Sequence, residues 1–328
     1  MSFNECFVLP DPADEKVMSR HSSNLITATI NSVCSPFAVV ANFLVVFVIA
    51  RGASLHTPSN VLLASLACSD LMVGMVVQPC YVVFRLYEYI SHLVPPCLLR
   101  IVYSESFWVC YGVSFLTLSA ISIERYIALR LHLRYKELVT TKRVLAVAAI
   151  IWVIDIGLTF MEWIAQSKLL RNCHAALLLC CLLVTFVTHL KIFWVLRRHQ
   201  RQINSINRMP SKRKNFQRQT RLAVSVSYIV VVYITCNIPV LFVTAYNFAG
   251  GHFNSLNVFS WTETIAFLNS SINPVICFWR NRGIRRALFN VSAKMVCLNR
   301  ALTQVEQGVT SVVMRGNHRM SAPVLDMK

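Results

Sequence analysis

The sequence predicts an all-α membrane protein, a bundle of seven transmembrane helices followed by a short amphipathic cytoplasmic helix. Three observations support this prediction. Of the 328 residues, 55% are hydrophobic and only 14% are charged, against about 25% charged in an ordinary soluble domain. Apolar runs long enough to cross a bilayer, which takes about 20 residues, recur along the chain. Lys and Arg also concentrate in alternate connections, which is a membrane-topology signal.

The apolar runs predict seven spans. They occupy residues 26–50, 60–84, 106–123, 144–161, 172–190 and 222–279, and the last run contains two spans separated near Gly250-Gly251. Each run has the length and composition of a transmembrane helix. We therefore predict the following organisation: an extracellular N-terminal tail over 1–25, a seven-helix bundle over 26–280, an amphipathic membrane-surface helix over 281–298 and a disordered cytoplasmic tail over 299–328.

The net charge of +18 follows this topology. Of the 32 Lys and Arg residues, 26 lie in residues 51–59, 124–143, 191–221 and 280–328. The positive-inside bias places these segments in the cytosol and the N-terminus outside. The basic excess also attracts the anionic lipid of the inner leaflet. We therefore predict the lipid bilayer as a partner and no binding of nucleic acid.

Polar groups within the runs indicate functional sites, because ionisable and amide side chains are costly at membrane depth. Together with single tryptophan and proline positions, they resemble the pattern of rhodopsin-like (class A) G-protein-coupled receptors over about residues 26–296. The end of the last run, residues 268–280, is similar to the melanocortin/adenosine-like branch. The residues that carry the resemblance are Asn42, Leu66-Ala67-Cys68-Ser69-Asp70, Glu124-Arg125-Tyr126, Trp152, Pro239 and Asn273-Pro274.

The resemblance implies a plasma-membrane receptor that binds an extracellular small-molecule or peptide ligand between its helices and activates a heterotrimeric G protein. It assigns G-protein coupling to Glu124, Arg125 and Tyr126. In isolation, Arg125 also fits an interface arginine that snorkels to the headgroups. Arrestin and receptor kinases are further implied partners. Two alternatives stay open, a receptor-like decoy that does not signal and a seven-helix transporter or channel.

An enzyme is not expected. The sequence contains no metal-ligand spacing, no phosphate-binding glycine loop and no nucleophile–base motif. We therefore predict that the chain carries out no chemistry on its ligand.

Asp70 is the centre of a predicted polar cluster, because a carboxylate in hydrocarbon needs partners. The resemblance implies a bound sodium ion here, with Ser114, Asn269, Ser270 and Asn273 as the matching positions. All four side chains carry oxygens, which a hard cation prefers as ligands. The alternative is a water-filled hydrogen-bond network without an ion. No other cofactor is expected.

The resemblance assigns a conformational switch to Asn42, Asn237, Pro239, Pro274 and Cys277. Pro239 and Pro274 each remove a backbone hydrogen bond and kink or loosen their helix. A kinked sixth helix can swing its cytosolic half outward, and the alternative is a static kink. Asn237 stands where the family usually carries tryptophan, and Cys277 stands where it carries tyrosine.

Two further departures concern the restraint of the inactive state. The fifth-helix tyrosine of the family aligns with Thr188, in a helix that has no proline to fix the register. No acidic residue lies near Gln219 to pair with Arg125. We therefore expect altered basal signalling, raised rather than lowered, because the restraining ion pair cannot form.

A ligand pocket is implied between the extracellular halves of the helices. Phe107 stands where amine receptors carry aspartate and Phe267 where an opsin carries its lysine, which disfavours a monoamine and excludes retinal. Glu263 begins an inward stripe spaced i, i+4, i+7 and i+11. Its carboxylate either holds a ligand cation above an aromatic floor or is an exposed glutamate at a loop end. The predicted pocket residues are Phe107, Trp108, Tyr111, Leu241, Thr244, Glu263 and Phe267.

The cysteines suggest two covalent features. Cys97 and Cys173 are candidates for the bridge that the family forms between its third helix and the next extracellular loop, and Cys6 pairing with either one is the alternative. Cys297, just beyond the amphipathic helix, is a palmitoylation candidate or a free thiol. Ser311 and Ser321 in the tail could take phosphates.

Overall fold

A computed structural model describes residues 21–131, 134–165, 167–205, 227–243 and 256–290, together with residues 224 and 246. Within these residues there are seven main helices and no strand. A short 3₁₀ helix, Ala53–Leu55, and a one-turn helix, Tyr135–Leu138, lie in the connections. The main helices are His21–Arg51 (α1), Pro58–Ser91 (α2), Cys97–Arg130 (α3), Thr141–Ala165 (α4), Lys168–Ser205 (α5), Ser227–Val243 (α6) and Leu256–Arg280 (α7).

Length and composition make most of these helices suitable for crossing a membrane. Among the described residues, α1 to α5 each contain a stretch that is long and apolar enough to do so. The described part of α6 is a shorter apolar helix. At 25 residues α7 is long enough, but Glu263, Asn269 and Asn273 lower its hydropathy. The polar residues of α7 are those that the sequence analysis assigns to sites.

The helices alternate in direction, as contacts near their ends show. Asn31, in the first third of α1, donates a hydrogen bond to Thr264 Oγ1 of α7 at 3.2 Å. Arg85, near the end of α2, pairs with Glu263 of α7. The start of α1, the end of α2 and the start of α7 therefore share one side of the bundle. We call this side, where α1 begins, the N-side, and the opposite side the C-side.

The helix α2 contains one wide turn. Its start is capped by Thr57, whose hydroxyl accepts a hydrogen bond from the backbone of Asn60, and Pro58 occupies the first helical position. Residues Val73–Val77 form a π-helical turn, closed by the bond from the Gln78 amide to the Val73 carbonyl. The Gly74 carbonyl accepts a hydrogen bond from Ser35 of α1 at 2.8 Å. A π turn inserts an extra residue, and such turns occur frequently at functional sites.

A mostly aromatic core surrounds α3. Phe107, Tyr111 and Phe115 follow one face of this helix and are all buried. Phe115 meets Tyr233 of α6 edge to face, with ring centroids 4.9 Å apart, and Phe107 meets Phe267 of α7 in the same way at 5.6 Å. Such edge-to-face pairs add about 0.5–1.5 kcal/mol beyond area burial. The helix α3 therefore joins α6 and α7 at the centre of the bundle.

The outward faces of α4 and α5 are apolar. Val153 and Trp194 are 71% and 72% exposed in the protein itself. Large exposed apolar patches indicate contact with lipid or another apolar partner. These faces fit a bilayer environment, as the apolar runs predicted.

Several helices extend beyond the apolar runs. The predicted second span ends at residue 84 and the third begins at 106, whereas α2 reaches Ser91 and α3 starts at Cys97. The helices continue because Arg85 and Glu88 are buried and paired with each other instead of lying in a loop. Similarly, α1 starts at residue 21, so its first five residues fall within the predicted tail.

The chain divides into two compact units, residues 1–284 and 285–328. All seven main helices belong to the first unit. Residues 282–290 are helical, which covers the first part of the amphipathic helix predicted over 281–298. The rest of that helix, the predicted tail over 299–328, and residues 1–20 of the predicted N-terminal tail lie outside the described residues.

Candidate functional site

Asp70 of α2 lies at the centre of a buried polar cluster. Its side chain is only 1% exposed. Ser270 Oγ donates a hydrogen bond to Oδ1, and Asn273 Nδ2 donates one to Oδ2, both at 2.8 Å. Buried carboxylates require such donors. Two of the four predicted partners of Asp70 therefore bond to it directly.

Asn42 and Ser114 complete this cluster from α1 and α3. Asn42 Nδ2 donates to the carbonyls of Ala38 and Ser270, at 2.9 and 2.8 Å, and so links α1 to α7. Ser114 does not bond to Asp70. Its hydroxyl lies 2.9 Å from Ser69 Oγ and 2.8 Å from the Cys110 carbonyl. The cluster therefore joins four helices around one carboxylate.

A small cavity adjoins Asp70. Its volume of about 20 Å³ is enough for one water molecule or a small cation. Asn269 Oδ1 is buried and has no hydrogen-bond partner among the described residues, and it belongs to a residue that lines this cavity. The oxygens of a carboxylate, an amide and two hydroxyls suit a hard cation such as sodium. The lining residues are Asp70, Val73, Phe107, Cys110, Tyr111, Ser114, Tyr233, Asn237, Ala266, Phe267, Asn269 and Ser270.

The predicted pocket residues of α3 and α7 meet on the N-side of this cavity. Phe107 lies 5.2 Å from Tyr111, 5.3 Å from Trp108 and 5.6 Å from Phe267, measured between ring centroids. Leu241 of α6 packs against the same core. The structure thus brings four of the seven predicted pocket residues together. Thr244 lies outside the described residues.

Glu263 is buried and paired within the protein, which contradicts one of its two sequence interpretations. It is only 4% exposed, so it is not an exposed glutamate at a loop end. Its Oε2 lies 3.3 Å from Arg85 Nη2, and Arg85 Nη1 lies 3.1 Å from Glu88 Oε2. The guanidinium carbon also lies 4.7 Å from the centre of the Tyr81 ring, within cation–π range. We call Arg85, Glu88 and Glu263 the N-side charge network.

Sequence reasoning missed the N-side charge network because Arg85 follows the apolar run and was counted as an external charge. A signal for it did exist. Arg85 and Glu88 are spaced i, i+3, which places them on one helical face if α2 continues. A buried guanidinium must be paired with carboxylates, because an unpaired charge is very costly in the interior. The pairing of Arg85 with Glu88 therefore requires α2 to continue past the apolar run.

A second buried ionic cluster, also missed, joins α4 to α5. His174 Nε2 lies 3.2 Å from Asp155 Oδ1, and His174 Nδ1 lies 2.6 Å from Glu162 Oε1. Asp155 is fully buried and packs against Gly112 of α3, where a β-carbon would come within 1.9 Å of Asp155 Oδ1. The absence of a side chain at Gly112 therefore makes room for the carboxylate.

Arg125 lies near the C-side end of α3 and is paired with its neighbour. Its Nε and Nη2 donate to the two carboxylate oxygens of Glu124, and Nη1 has no partner among the described residues. Glu124 also accepts hydrogen bonds from Tyr135 of the one-turn helix and from Ser59 of α2, the latter at 3.1 Å. Burial, and then the charge of Glu124, raise the pKa of Tyr135, so its phenol stays protonated and can donate.

Tyr126 faces away from this pair. Its hydroxyl accepts a hydrogen bond from Arg130 Nη1 at 2.6 Å, and Lys191 of α5 lies 5.9 Å from its ring centre. The predicted coupling triplet therefore splits into a buried ion pair and an outward tyrosine.

The predicted switch residues all lie on α1, α6 and α7. Asn237 is buried, and its Nδ2 donates to the Tyr233 carbonyl at 2.7 Å, two residues before Pro239. Pro274 lies inside α7, and Cys277 is buried one turn later. On α4, Trp152 Nε1 donates to Ser65 Oγ of α2 at 3.1 Å.

The predicted Cys97–Cys173 bridge is wrong. Cys173 is a free, exposed thiol, because α5 already begins at Lys168 and its second turn presents Cys173 outward. Cys97 is disulfide-bonded, but its partner is not one of the described cysteines, which are all free. The alternative partner Cys6 and the palmitoylation candidate Cys297 lie outside the described residues and stay predictions.

Comparison with known proteins places this arrangement in a family context. Residues 41–276 match the family described as 7 transmembrane receptor (rhodopsin family). The adenosine receptor A2b of Rattus norvegicus is 26% identical over 330 residues, covering 85% of this chain and 93% of the receptor. The adenosine receptor A2a of Canis lupus familiaris is 26% identical over 79% of this chain and 70% of the receptor. The histamine H2 receptor of Cavia porcellus is 27% identical over 76% of this chain and 74% of the receptor.

Proposed function

Because the chain belongs to the rhodopsin family of seven-transmembrane receptors, we propose that its N-side binds a ligand from outside the cell and its C-side engages a heterotrimeric G protein. The chain is a G-protein-coupled receptor of the adenosine-like branch, a multi-pass protein of the plasma membrane and not an enzyme. Family membership also sets aside the transporter or channel alternative. The proposed orientation rests on the positive-inside bias of the sequence, in which 26 of the 32 Lys and Arg residues lie in residues 51–59, 124–143, 191–221 and 280–328.

One observation carries the coupling proposal. Arg125 is buried near the C-side, paired with Glu124 through Nε and Nη2, while Nη1 has no partner in the described part of the chain. A guanidinium with one free nitrogen can turn towards a new partner once the surrounding helices separate. A ligand shifts the equilibrium towards the arrangement with separated helices. The shift equals the difference between the ligand's binding free energies for the two arrangements.

The test is nucleotide exchange on purified G proteins. The receptor is reconstituted in lipid nanodiscs with a panel of heterotrimers, without ligand and with adenosine or histamine as first probes. Glu124→Gln removes the restraining charge and is expected to raise basal exchange. Arg125→Ala is expected to reduce exchange to the level of empty nanodiscs. Arg130→Ala, which loses only the bond to Tyr126, is the matched control and should behave as wild type.

The outcomes separate the alternatives. Exchange that survives in Arg125→Ala would contradict the assigned role of Arg125. A receptor that reaches the cell surface but drives no exchange on any G protein, even as Glu124→Gln, is the non-signalling decoy. Exchange in the wild type that rises in Glu124→Gln and vanishes in Arg125→Ala supports coupling.

The ligand pocket is proposed on the N-side of the Asp70 cavity. The buried rings of Phe107, Tyr111 and Phe267 and the partly buried ring of Trp108 offer an apolar, π-rich wall, the usual lining of a small-ligand site. Arg85 and Glu263 place one charge of each sign beside it. This wall suits a planar or aromatic ligand more than a simple aliphatic amine.

A sodium ion at Asp70 is proposed as an allosteric ligand. Asp70, Ser114, Asn269 and Ser270 would hold it, since their oxygens line one cavity of suitable size. An ion that binds the folded state stabilises it. The wild type should therefore melt at a higher temperature in sodium chloride than in potassium chloride of equal ionic strength.

Two variants test the sodium proposal. Asp70→Asn should lose the difference between the two salts. Asp155→Asn, which removes another buried carboxylate that does not line the cavity, should keep it. A difference that persists in Asp70→Asn contradicts the sodium site and leaves the water-filled network.

The segments that follow α7 in the sequence carry further proposals of the same kind. The helical residues 282–290 would begin a helix lying on the inner leaflet, with Cys297 beyond it as a palmitoylation site. Receptor kinases would act on Ser311 and Ser321, and arrestin would bind the phosphorylated tail. Intact-mass measurement after co-expression with a receptor kinase tests the tail, and hydroxylamine-sensitive mass loss tests the acyl group.

A further inference from the structure

A histidine of α5 links three helices near the C-side. His189 Nε2 lies 3.0 Å from Ser122 Oγ of α3, and His189 Nδ1 lies 3.2 Å from Ser227 Oγ of α6. Ser122 lies one helical turn from Arg125, towards the N-side. We call this arrangement the Ser122–His189–Ser227 bridge. It is built from side chains on three different helices, all at hydrogen-bond distance.

The neighbours of the bridge fix which atoms donate. The Ser122 hydroxyl donates its single proton to the Leu118 carbonyl, 2.8 Å away, so it can only accept from the ring. His189 therefore donates from Nε2. In a neutral imidazole the other nitrogen is then an acceptor, and Nδ1 accepts from the Ser227 hydroxyl. The bridge is thus a directed chain that runs from α6 through α5 to α3.

The charges of the chain explain why such a bridge matters. No Asp or Glu occurs between Glu162 and Glu263, so α5, α6 and the segment between them offer Arg125 no carboxylate. Arg125 therefore cannot form an ion pair with α6 in this sequence. A neutral hydrogen-bonded contact is another polar means of holding α6 against α3.

We propose that His189 is the positioning residue that holds α6 against α3 through Ser122 and Ser227, and thereby sets the basal activity of the receptor. This inference rests on the proposed coupling to a G protein, which requires the C-side ends of the helices to separate. The residue that reaches both α3 and α6 is His189, which directly follows Thr188.

A nearby pair on the same interface provides a matched control. Ser119 of α3 and Thr185 of α5 lie 2.9 Å apart, one turn from Ser122 and His189. The Ser119 hydroxyl is also 3.0 Å from the Cys181 carbonyl of α5. These contacts join α3 to α5 but do not include α6. A variant that breaks them disturbs the interface without releasing α6.

The first measurement is basal nucleotide exchange in nanodiscs. Ser227→Ala and His189→Gln should each raise it about 2- to 10-fold, the factor that the loss of one hydrogen bond produces. Glutamine retains a polar group near Nε2 but not near Nδ1, so it loses Ser227. His189→Asn retains a polar group near Nδ1 but not near Nε2, so it loses Ser122 and should raise exchange as well. Thr185→Val, which leaves the bridge intact, should stay near the wild-type value.

A merely structural role for the ring predicts a different pattern. If the ring only filled volume, Ser227→Ala, which leaves the imidazole in place, would keep the wild-type exchange rate. The double variant of His189→Gln and Ser227→Ala is also informative. If the two residues act through one bond, exchange in the double variant rises no further than in the stronger single variant.

The second measurement does not involve a G protein. Spin labels on p-acetylphenylalanine at positions 142 and 231, both exposed, report the distance between α4 and α6 without using the twelve cysteines. Ser227→Ala and His189→Gln should populate a longer distance, and Thr185→Val should not. This result supports the bridge even where no G protein responds, in which case only the proposed coupling fails. Unchanged distances in both bridge variants overturn the inference, even where the wild type couples.

Discussion

On the N-side, a buried guanidinium with two buried carboxylates ties α2 to α7, whereas on the C-side a neutral imidazole ties α5 to α3 and α6. Arg85, Glu88 and Glu263 are each at most 4% exposed. Their contacts of 3.1 and 3.3 Å are no shorter than the 3.0 and 3.2 Å contacts of His189. The two regions therefore differ in the charge of the contacting groups and not in the contact distances.

Charge decides how easily each region opens. Removing one partner of a buried ion pair costs about 3–5 kcal/mol because an uncompensated charge is left behind. Losing a neutral hydrogen bond costs about 0.5–1.5 kcal/mol. The N-side ends of α2 and α7 are thus fixed, while the C-side end of α6 can be released by a small free-energy change. A receptor that signals by moving its cytosolic ends needs this difference.

The largest expected effect comes from breaking the N-side charge network. Arg85→Ala leaves Glu263 without its guanidinium, so we expect the free energy of unfolding to fall by about 3–5 kcal/mol, with strongly reduced surface expression. Thermal unfolding in nanodiscs measures it. Arg51→Ala, which removes an exposed arginine stacked on Phe47, is the control. Equal melting temperatures for the two variants would show that the N-side charge network does not stabilise the protein.

A second substitution tests the ionic cluster of α4 and α5. In Gly112→Ala the new β-carbon would displace Asp155, whose Oδ1 is bonded to His174. We expect a loss of about 1–3 kcal/mol from overpacking, although alanine normally stabilises a helix relative to glycine by about 0.5–1 kcal/mol.

The control for Gly112 is Gly157→Ala on α4. A β-carbon at Gly157 meets nothing within 4 Å, so this variant should be as stable as wild type or slightly more so. Both are compared by melting temperature in nanodiscs. A stabilised Gly112→Ala would mean that Asp155 moves aside freely and that this cluster is not rigid.

Tyr135→Phe should change activity more than stability. It removes the hydroxyl that donates to Glu124, so Glu124 holds Arg125 less firmly and basal nucleotide exchange should rise by a few fold. The raised pKa of Tyr135 keeps its hydroxyl protonated at neutral pH, so the effect should be constant between pH 6 and 8. Thr29→Val, which loses only a bond to the Leu25 carbonyl within α1, should leave exchange unchanged. Exchange in Tyr135→Phe that stays at the wild-type level would show that Tyr135 does not help Glu124 to hold Arg125.

The smallest expected effect concerns the wide turn of α2. Ser35→Ala removes the hydrogen bond to the Gly74 carbonyl and should cost about 0.5–1.5 kcal/mol. Ser32→Ala loses only a bond within its own helix, to the Ala28 carbonyl, and should cost less. The melting temperatures of the two variants decide whether α1 supports the turn.

The sequence predicted the location of a helix well where its apolar composition alone identifies it. Apolar runs locate α1 to α5, and a resemblance to one receptor family placed Asp70 with Ser270 and Asn273. The ends of the helices were not predictable in this way. Arg85 and Glu88 interrupt hydropathy, and only their mutual pairing makes a buried continuation of α2 favourable.

The fifth helix shows a different limit. It lacks a proline to fix its alignment, and a shift of one residue turns a side chain by about 100° around the helix. Thr188 and His189 therefore cannot be distinguished by composition, and contacts with α3 and α6 are needed to choose. Cys173 was misplaced for a similar reason, since the connection before α5 is shorter than the sequence analysis supposed.

The π-helical turn at Val73–Val77 changes the direction in which the later side chains of α2 point. Its extra residue advances every later side chain by about 100° relative to an uninterrupted α-helix. Asp70 precedes the shift and Arg85 follows it, yet both face the interior. Deleting a single residue from this turn would rotate Arg85 around the helix axis and away from α7. Asp70 would keep its present position. The orientation of one site relative to the other is therefore encoded in the length of a five-residue segment and not in the identity of either residue.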